Sequence, residues 1–176
     1  MEENMKIIII MLLALTMFAQ EKTEKMITLQ SKVDINIISK WLKLRKVKLK
    51  NLELEKITKV KNVKYEGLQN LTRISLNNDN TKYFFFNKID KLVIIYINNK
   101  DELSKLSTKK IIKLYGQPDK ILRSRVGKHA NHYVYSQKGF AYSVMDKKIE
   151  FFEVFPNCSL KEYKKNIYIE PSKFIR

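Results

Sequence analysis

The first apolar pattern in the chain has no polar face: Ile7 to Leu15 is unbroken hydrophobic sequence, followed by Met17-Phe18-Ala19 and then polar Gln20. Further on the spacing becomes helical. Ile35, Ile38, Trp41, Leu42 and Arg45 recur at three- and four-residue steps behind Asp34, which predicts an N-capped amphipathic helix of about three turns. Three short β-branched or aromatic segments then follow, Thr72 to Leu76, Lys82 to Phe86 and Lys91 to Ile97, separated by Asn/Asp turns, and they predict a meander. "SKLSTKKIIKLYGQPD" is a helix with both ends marked, by Ser107 as N-cap and by Gly116 and Pro118 as stops, with Ile111, Ile112, Leu114 and Tyr115 on its buried side.

From Lys120 to Pro156 the alternation predicts strand, turn, strand, turn, strand, turn, strand. Tyr133 and Tyr135 share one face of their strand, Phe140, Tyr142 and Val144 share one face of the next, and Asp146-Lys147-Lys148 forms the last hairpin tip. Ser159-Leu160-Lys161-Glu162 matches a capping box and opens a short helix with Leu160, Tyr163 and Ile167 as its apolar side. The fold class is therefore α+β: antiparallel β-meanders with two to three packing helices. The order of elements suggests two αβ-meander passes, at 35–97 and 107–155, although the residues do not repeat.

The N-terminal run changes how the rest is read. One lysine, thirteen residues from Ile7 to Ala19 and a small residue at the end make a secretory signal pattern, whereas a bilayer span needs about 20. The expectation is a signal peptide over 1–19 cleaved after Ala19, with Met5 as the true start because Glu2 and Glu3 do not suit the basic region. A loose polar segment over 20–33 and a single α+β domain over 34–176 follow. The expected product is exported, periplasmic or secreted, soluble, without a transmembrane span in the mature chain. No cysteine near the cleavage point offers a lipid attachment. Cys158 is the sole cysteine, so no internal disulfide can form and a buried, inert thiol is expected.

A formal charge of +17 invites a nucleic-acid or anionic-membrane reading. Thirty of the 35 basic residues are lysines and five are arginines, whereas phosphate and base recognition favours the guanidinium fork, which argues against nucleic acid. Lysine, isoleucine and asparagine are all abundant and share A/T-rich codons. The densest run, Lys40 to Lys64, reads as a solvated face, with Val47, Leu49, Leu52, Leu54, Ile57, Val60 and Val63 as the buried positions of a strand or helix. Lys43, Lys46, Lys48 and Lys50 form the candidate basic face.

Candidate chemistry is sparse. His129 and His132 in H-A-N-H lack a third ligand and a helix, so neither metal nor cofactor is expected. Cys158 or Ser124 or Ser143, with a histidine and Asp119, could be drawn as a nucleophilic set, but no nucleophile-elbow motif supports it. Glu150 and Glu153 point to opposite faces of one strand. Arg123 and Arg125 fall on one strand face beside the turn containing Lys128 and His129, a candidate anion-contact edge.

"YGQPD", "HYVYSQKGFAYSV" and "KKIEFFEVF", in that order after a helix, resemble the SmpA/OmlA (BamE-like) small envelope domains. These pair helices with a three-stranded antiparallel sheet and carry a Gly-x-Pro turn and aromatic strands. The resemblance covers residues 107–155, and the chain adds a first meander and a C-terminal helix. It implies a non-catalytic domain that works by contact with other envelope proteins. The expected role is an exported binding or accessory module with an envelope protein partner. The alternatives are a basic surface holding an anionic polymer, lipid or nucleic acid, and an unrecognised hydrolase that would bring His129 or His132 beside Cys158, Asp119 or a glutamate.

Overall fold

The computed structural model describes residues 57–76, 79–104 and 106–171, all within the unit Lys32–Arg176. The expected leader, the polar segment after it, the helix opening at Asp34 and the lysines at 43, 46, 48 and 50 lie outside the described residues. The eight strands are β1 (Ile57–Tyr65), β2 (Leu68–Leu76), β3 (Lys82–Phe86), β4 (Leu92–Ile97), β5 (Lys120–Arg123), β6 (Asn131–Tyr135), β7 (Phe140–Met145) and β8 (Lys148–Val154). Helices α1 (Lys100–Leu103) and α2 (Thr108–Tyr115) separate β4 from β5, and α3 (Leu160–Asn166) follows β8.

The strands form one antiparallel sheet in the order β1-β2-β3-β4-β8-β7-β6-β5. It is an α+β fold made of two four-strand meanders, each pairing neighbours in the chain, joined where β4 meets β8 through Ile95↔Val154, Tyr96↔Glu153 and Ile97↔Phe152. β1 extends the first meander beyond the sequence expectation. Its alternation is broken by register shifts on either side of Val63, and Asn62 takes a left-handed conformation, as the extra residue of a bulge does. Asp146 and Lys147 both have positive φ and make the β7–β8 connection a two-residue turn, so Lys148 already belongs to β8.

Both faces of the sheet are covered, which explains its near-continuous apolar strands. On one face α2 lies over the second meander: Tyr115 meets Phe140 edge-on at 5.0 Å, and the Tyr135 hydroxyl donates to the Gly116 carbonyl at 2.9 Å. Gly116, at φ 77°, ends α2 in the left-handed region. On the opposite face α3 and the turn into it bring Phe155, Tyr163 and Ile167 against Tyr65, Phe85, Ile94, Val134 and Ala141. Ser159 and Glu162 form a complete capping box that fixes the start of α3. Among the described residues no helix is long and apolar enough to cross a membrane.

Candidate functional site

The covered face beneath α3 carries a polar cluster. Strand register places His132 of β6 opposite Ser143 of β7, and Ser143 opposite Phe151 of β8, two residues from Glu153 on the same face. Tyr163 reaches this point from α3, Tyr65 from the end of β1 and Arg125 from the turn after β5. Both Glu153 oxygens are taken: the Tyr163 hydroxyl donates to Oε1 at 2.6 Å and the Tyr65 hydroxyl donates to Oε2. Arg125 donates to Tyr65 at 3.1 Å, stands 3.9 Å from Glu153 and ion-pairs with Glu66. Its guanidinium lies over the rings of Phe151, Tyr65 and Tyr96 at 4.3, 5.4 and 5.4 Å, so three aromatic faces and two carboxylates surround one cation.

A continuous chain of hydrogen-bonding contacts runs through the cluster. The Val126 N–H donates to Ser124 Oγ, Ser124 lies 2.7 Å from Ser143, and Ser143 lies 2.8 Å from His132 Nδ1. His132 Nε2 is 2.6 Å from the Tyr163 oxygen, whose own proton goes to Glu153. The two ring nitrogens of His132 thus join the serine pair to Tyr163, and the chain of contacts ends on the Glu153 carboxylate.

The carboxylate is the group the environment holds charged. Burial pushes the Glu153 carboxyl up, but the hydrogen bond and charge of His132, the Arg125 guanidinium and the Tyr163 hydroxyl together bring it down to about 2. The Tyr65 and Tyr163 phenols move the other way, raised well above their ordinary value by burial and by the neighbouring Glu153 charge. Glu66 is raised by its burial despite the Arg125 ion pair. Arg125 itself is held charged, because Tyr65, Glu153 and Glu66 outweigh its desolvation.

Ser143, His132 and Glu153 therefore share the residue types and order of contact of a nucleophilic triad, with His132 Nε2 3.3 Å from Glu153 Oε1. The arrangement is sealed. Ser143, His132 and Glu153 are 0, 2 and 1% exposed. The space beside them, lined by Arg123, Arg125, His132, Phe151, Tyr168 and Ile169, measures about 10 Å³, room for a water and not for a substrate. The geometry is that of an internal polar network bridging β1, the β5–β6 turn, β6, β7, β8 and α3.

An open recess lies on the other face of the sheet, between the start of α2 and the β6–β7 strands. Its volume is about 640 Å³. Tyr133 and Val144, which the register places on that face, are flanked by Leu106 and by Lys109 of α2, and His129 and Lys147 stand at its margin. Ser107 precedes α2 in extended conformation, but its side chain makes no capping hydrogen bond. Tyr133 stacks on Tyr142 at 5.1 Å with 2° between the rings.

These two centres redistribute the residues singled out from sequence. β5 ends at Arg123, so Arg123 and Arg125 do not share a strand face: Arg123 is exposed while the charge of Arg125 turns inward to Glu66 and Glu153. Lys128 and His129 are exposed in the turn, and only His129 reaches the recess. His129 and His132 point to opposite faces, and among the described residues no group of three or more His, Cys, Asp and Glu side chains could hold a metal ion. Asp119 is a turn anchor, accepting from Ser136 Oγ at 2.8 Å and Gln137 N–H at 3.1 Å. Cys158 is a half-buried free thiol, raised by burial and by Glu162 and Asp119. Sequence reasoning missed the joint role of Glu153, Tyr65 and Tyr163. The available signal was the parity of Phe151 and Glu153, which puts a carboxylate on a covered face that must then supply its partners.

No family model matches the chain, and no curated protein or solved structure matches it significantly.

Proposed function

We propose that this chain is an exported, non-catalytic binding or accessory module of the cell envelope that acts by contact with another envelope protein. The observation that carries the reading is the contrast between the two polar centres. The side chains with nucleophile, base and carboxylate chemistry are buried and bonded to one another, whereas the open recess presents lysines, a histidine and a fixed aromatic ring, groups that hold a partner rather than transform it. The apolar run at 7–15 and the resemblance of residues 107–155 to small envelope domains point to the compartment.

A second reading rests on the net charge of +17. A basic surface would hold an acidic polymer or lipid, and that attachment would be salt-labile. Affinity capture from envelope extract separates the two, using protein beginning at Gln20 and washes at low salt and then about 0.5 M, where screening acts within a few ångströms. A protein retained through the high-salt wash is the expected result. Retention of polymer or lipid alone, all lost at high salt, would transfer the function to the lysine surface.

A further inference from the structure

We propose that the recess beside the start of α2 binds a small molecule that joins a planar apolar body to an anionic group. The inference rests on the reading of this chain as a binding protein and gives it a ligand class.

The planar half of the ligand is dictated by Tyr133. One face of its ring is occupied by Tyr142 in near-parallel stacking, and Tyr142 in turn lies parallel to Phe152 at 6.0 Å and 4°, so the ring is immobilised from behind by the core. Tyr133 is half-buried and lines the recess, with half-buried Val144 and Leu106 beside it. A ring held in place in advance loses little rotamer freedom when another plane settles on it, which favours stacking. The volume of about 640 Å³ falls within the range that encloses a small organic ligand.

The anionic half is dictated by charge. Lys109 of α2 and Lys147 of the β7–β8 turn both line the recess, and among the described residues neither forms an ion pair. Among the described lining residues Asp146 is the one carboxylate against two lysines, and His129 and Asn131 add polar atoms able to bond an oxyanion. Neither half of the site is strong alone: exposed ammonium groups hold an anion weakly, and one ring face holds a plane weakly. Joined in one ligand, the two contacts reinforce each other.

The test uses the full chain, labelled with nitrogen-15, and three probes: phenyl phosphate, inorganic phosphate and benzyl alcohol. Phenyl phosphate should give saturable amide shifts confined to residues 106–109, 129–133 and 144–147, with an affinity at least about tenfold above that for either half alone. Y133L and the double variant K109A/K147A should each weaken it about tenfold. The two lysines are exposed, so the double variant should keep the wild-type melting temperature and remain interpretable if Y133L unfolds. Absence of saturable shifts up to about 10 mM overturns the proposal. So do shifts centred elsewhere, or an affinity that the lysine variant leaves unchanged. Envelope capture scores independently: a salt-resistant partner with no probe binding removes the ligand class and keeps the binding module, and probe binding without a partner does the reverse.

Discussion

Glu153 carries a charge in a strand whose neighbours are Phe151, Phe152 and Val154, and it does so because four side chains converge on it. A buried carboxylate without partners would take up a proton instead. Its depressed pKa sets a sign. A carboxyl that titrates at about 2 in the folded chain and near 4.5 otherwise stabilises the fold fully above pH 5 or so, and that contribution disappears as pH falls toward 2. E153Q should flatten the acid limb of a stability-against-pH curve measured by urea unfolding; an unchanged limb would show that other carboxylates govern it. At neutral pH E153A, which leaves two tyrosine hydroxyls without an acceptor and Arg125 with Glu66 alone, should cost on the order of 3–5 kcal/mol. Strand parity set Glu150 and Glu153 on opposite faces of their strand. The partners of Glu153 at 65, 125, 132 and 163 come from four separate segments, and no local pattern in the sequence encodes their meeting.

The β1–β2 hairpin is tied to α3 through its turn. A Cβ on Gly67 would sit 2.4 Å from the Asn166 carbonyl oxygen, so the turn packs against the end of the helix at a distance only a hydrogen permits. Glu66, beside it, pairs with Arg125. G67A should therefore push the hairpin off α3 and lower stability by about 1–3 kcal/mol, seen as a lower urea midpoint and faster amide exchange in β1 and α3 together. Faster exchange confined to the turn would mean that the contact is incidental. At seven residues α3 is too short to persist alone and depends on this packing and its capping box. The ends of α2 and α3 were legible because Gly116, Ser159 and Glu162 act locally. β1 was not, since the residue spacing around Asn62 obscures its alternation, and α1, with four residues, offers too few positions for a period to show.

Among the described strands the two meanders are paired only where β4 meets β8, and the polar cluster spans that junction: Tyr65 and Glu66 come from the first meander, Glu153 and His132 from the second. They should unfold as one cooperative unit. Native-state hydrogen exchange should place β4 and β8 in the slowest class, released only by global unfolding, with the four-residue edge strand β5 opening first. A distinct, less stable class comprising β1 to β3 would show two independent units instead. The meander composition and antiparallel sense were readable from strand spacing and turn residues. The β4–β8 junction was not, because β4 is apolar on both faces and so matches any strand with a buried side, and β8 buries residues on both of its faces.

That junction also bears on how the chain finds its fold. Of the seven strand pairings in the described sheet, six close between consecutive strands and one must wait for β8 to arrive from beyond the second meander. The entropy of closing a long loop grows only logarithmically with its length, and it is incurred here once. A chain delivered from its N-terminus can assemble β1 through β4 as it emerges, leaving the outer side of β4 as an open template until the last strand docks. The same template is where a second copy of β4 or β8 could insert in place of the first, so the hazard of misassembly is concentrated at one seam.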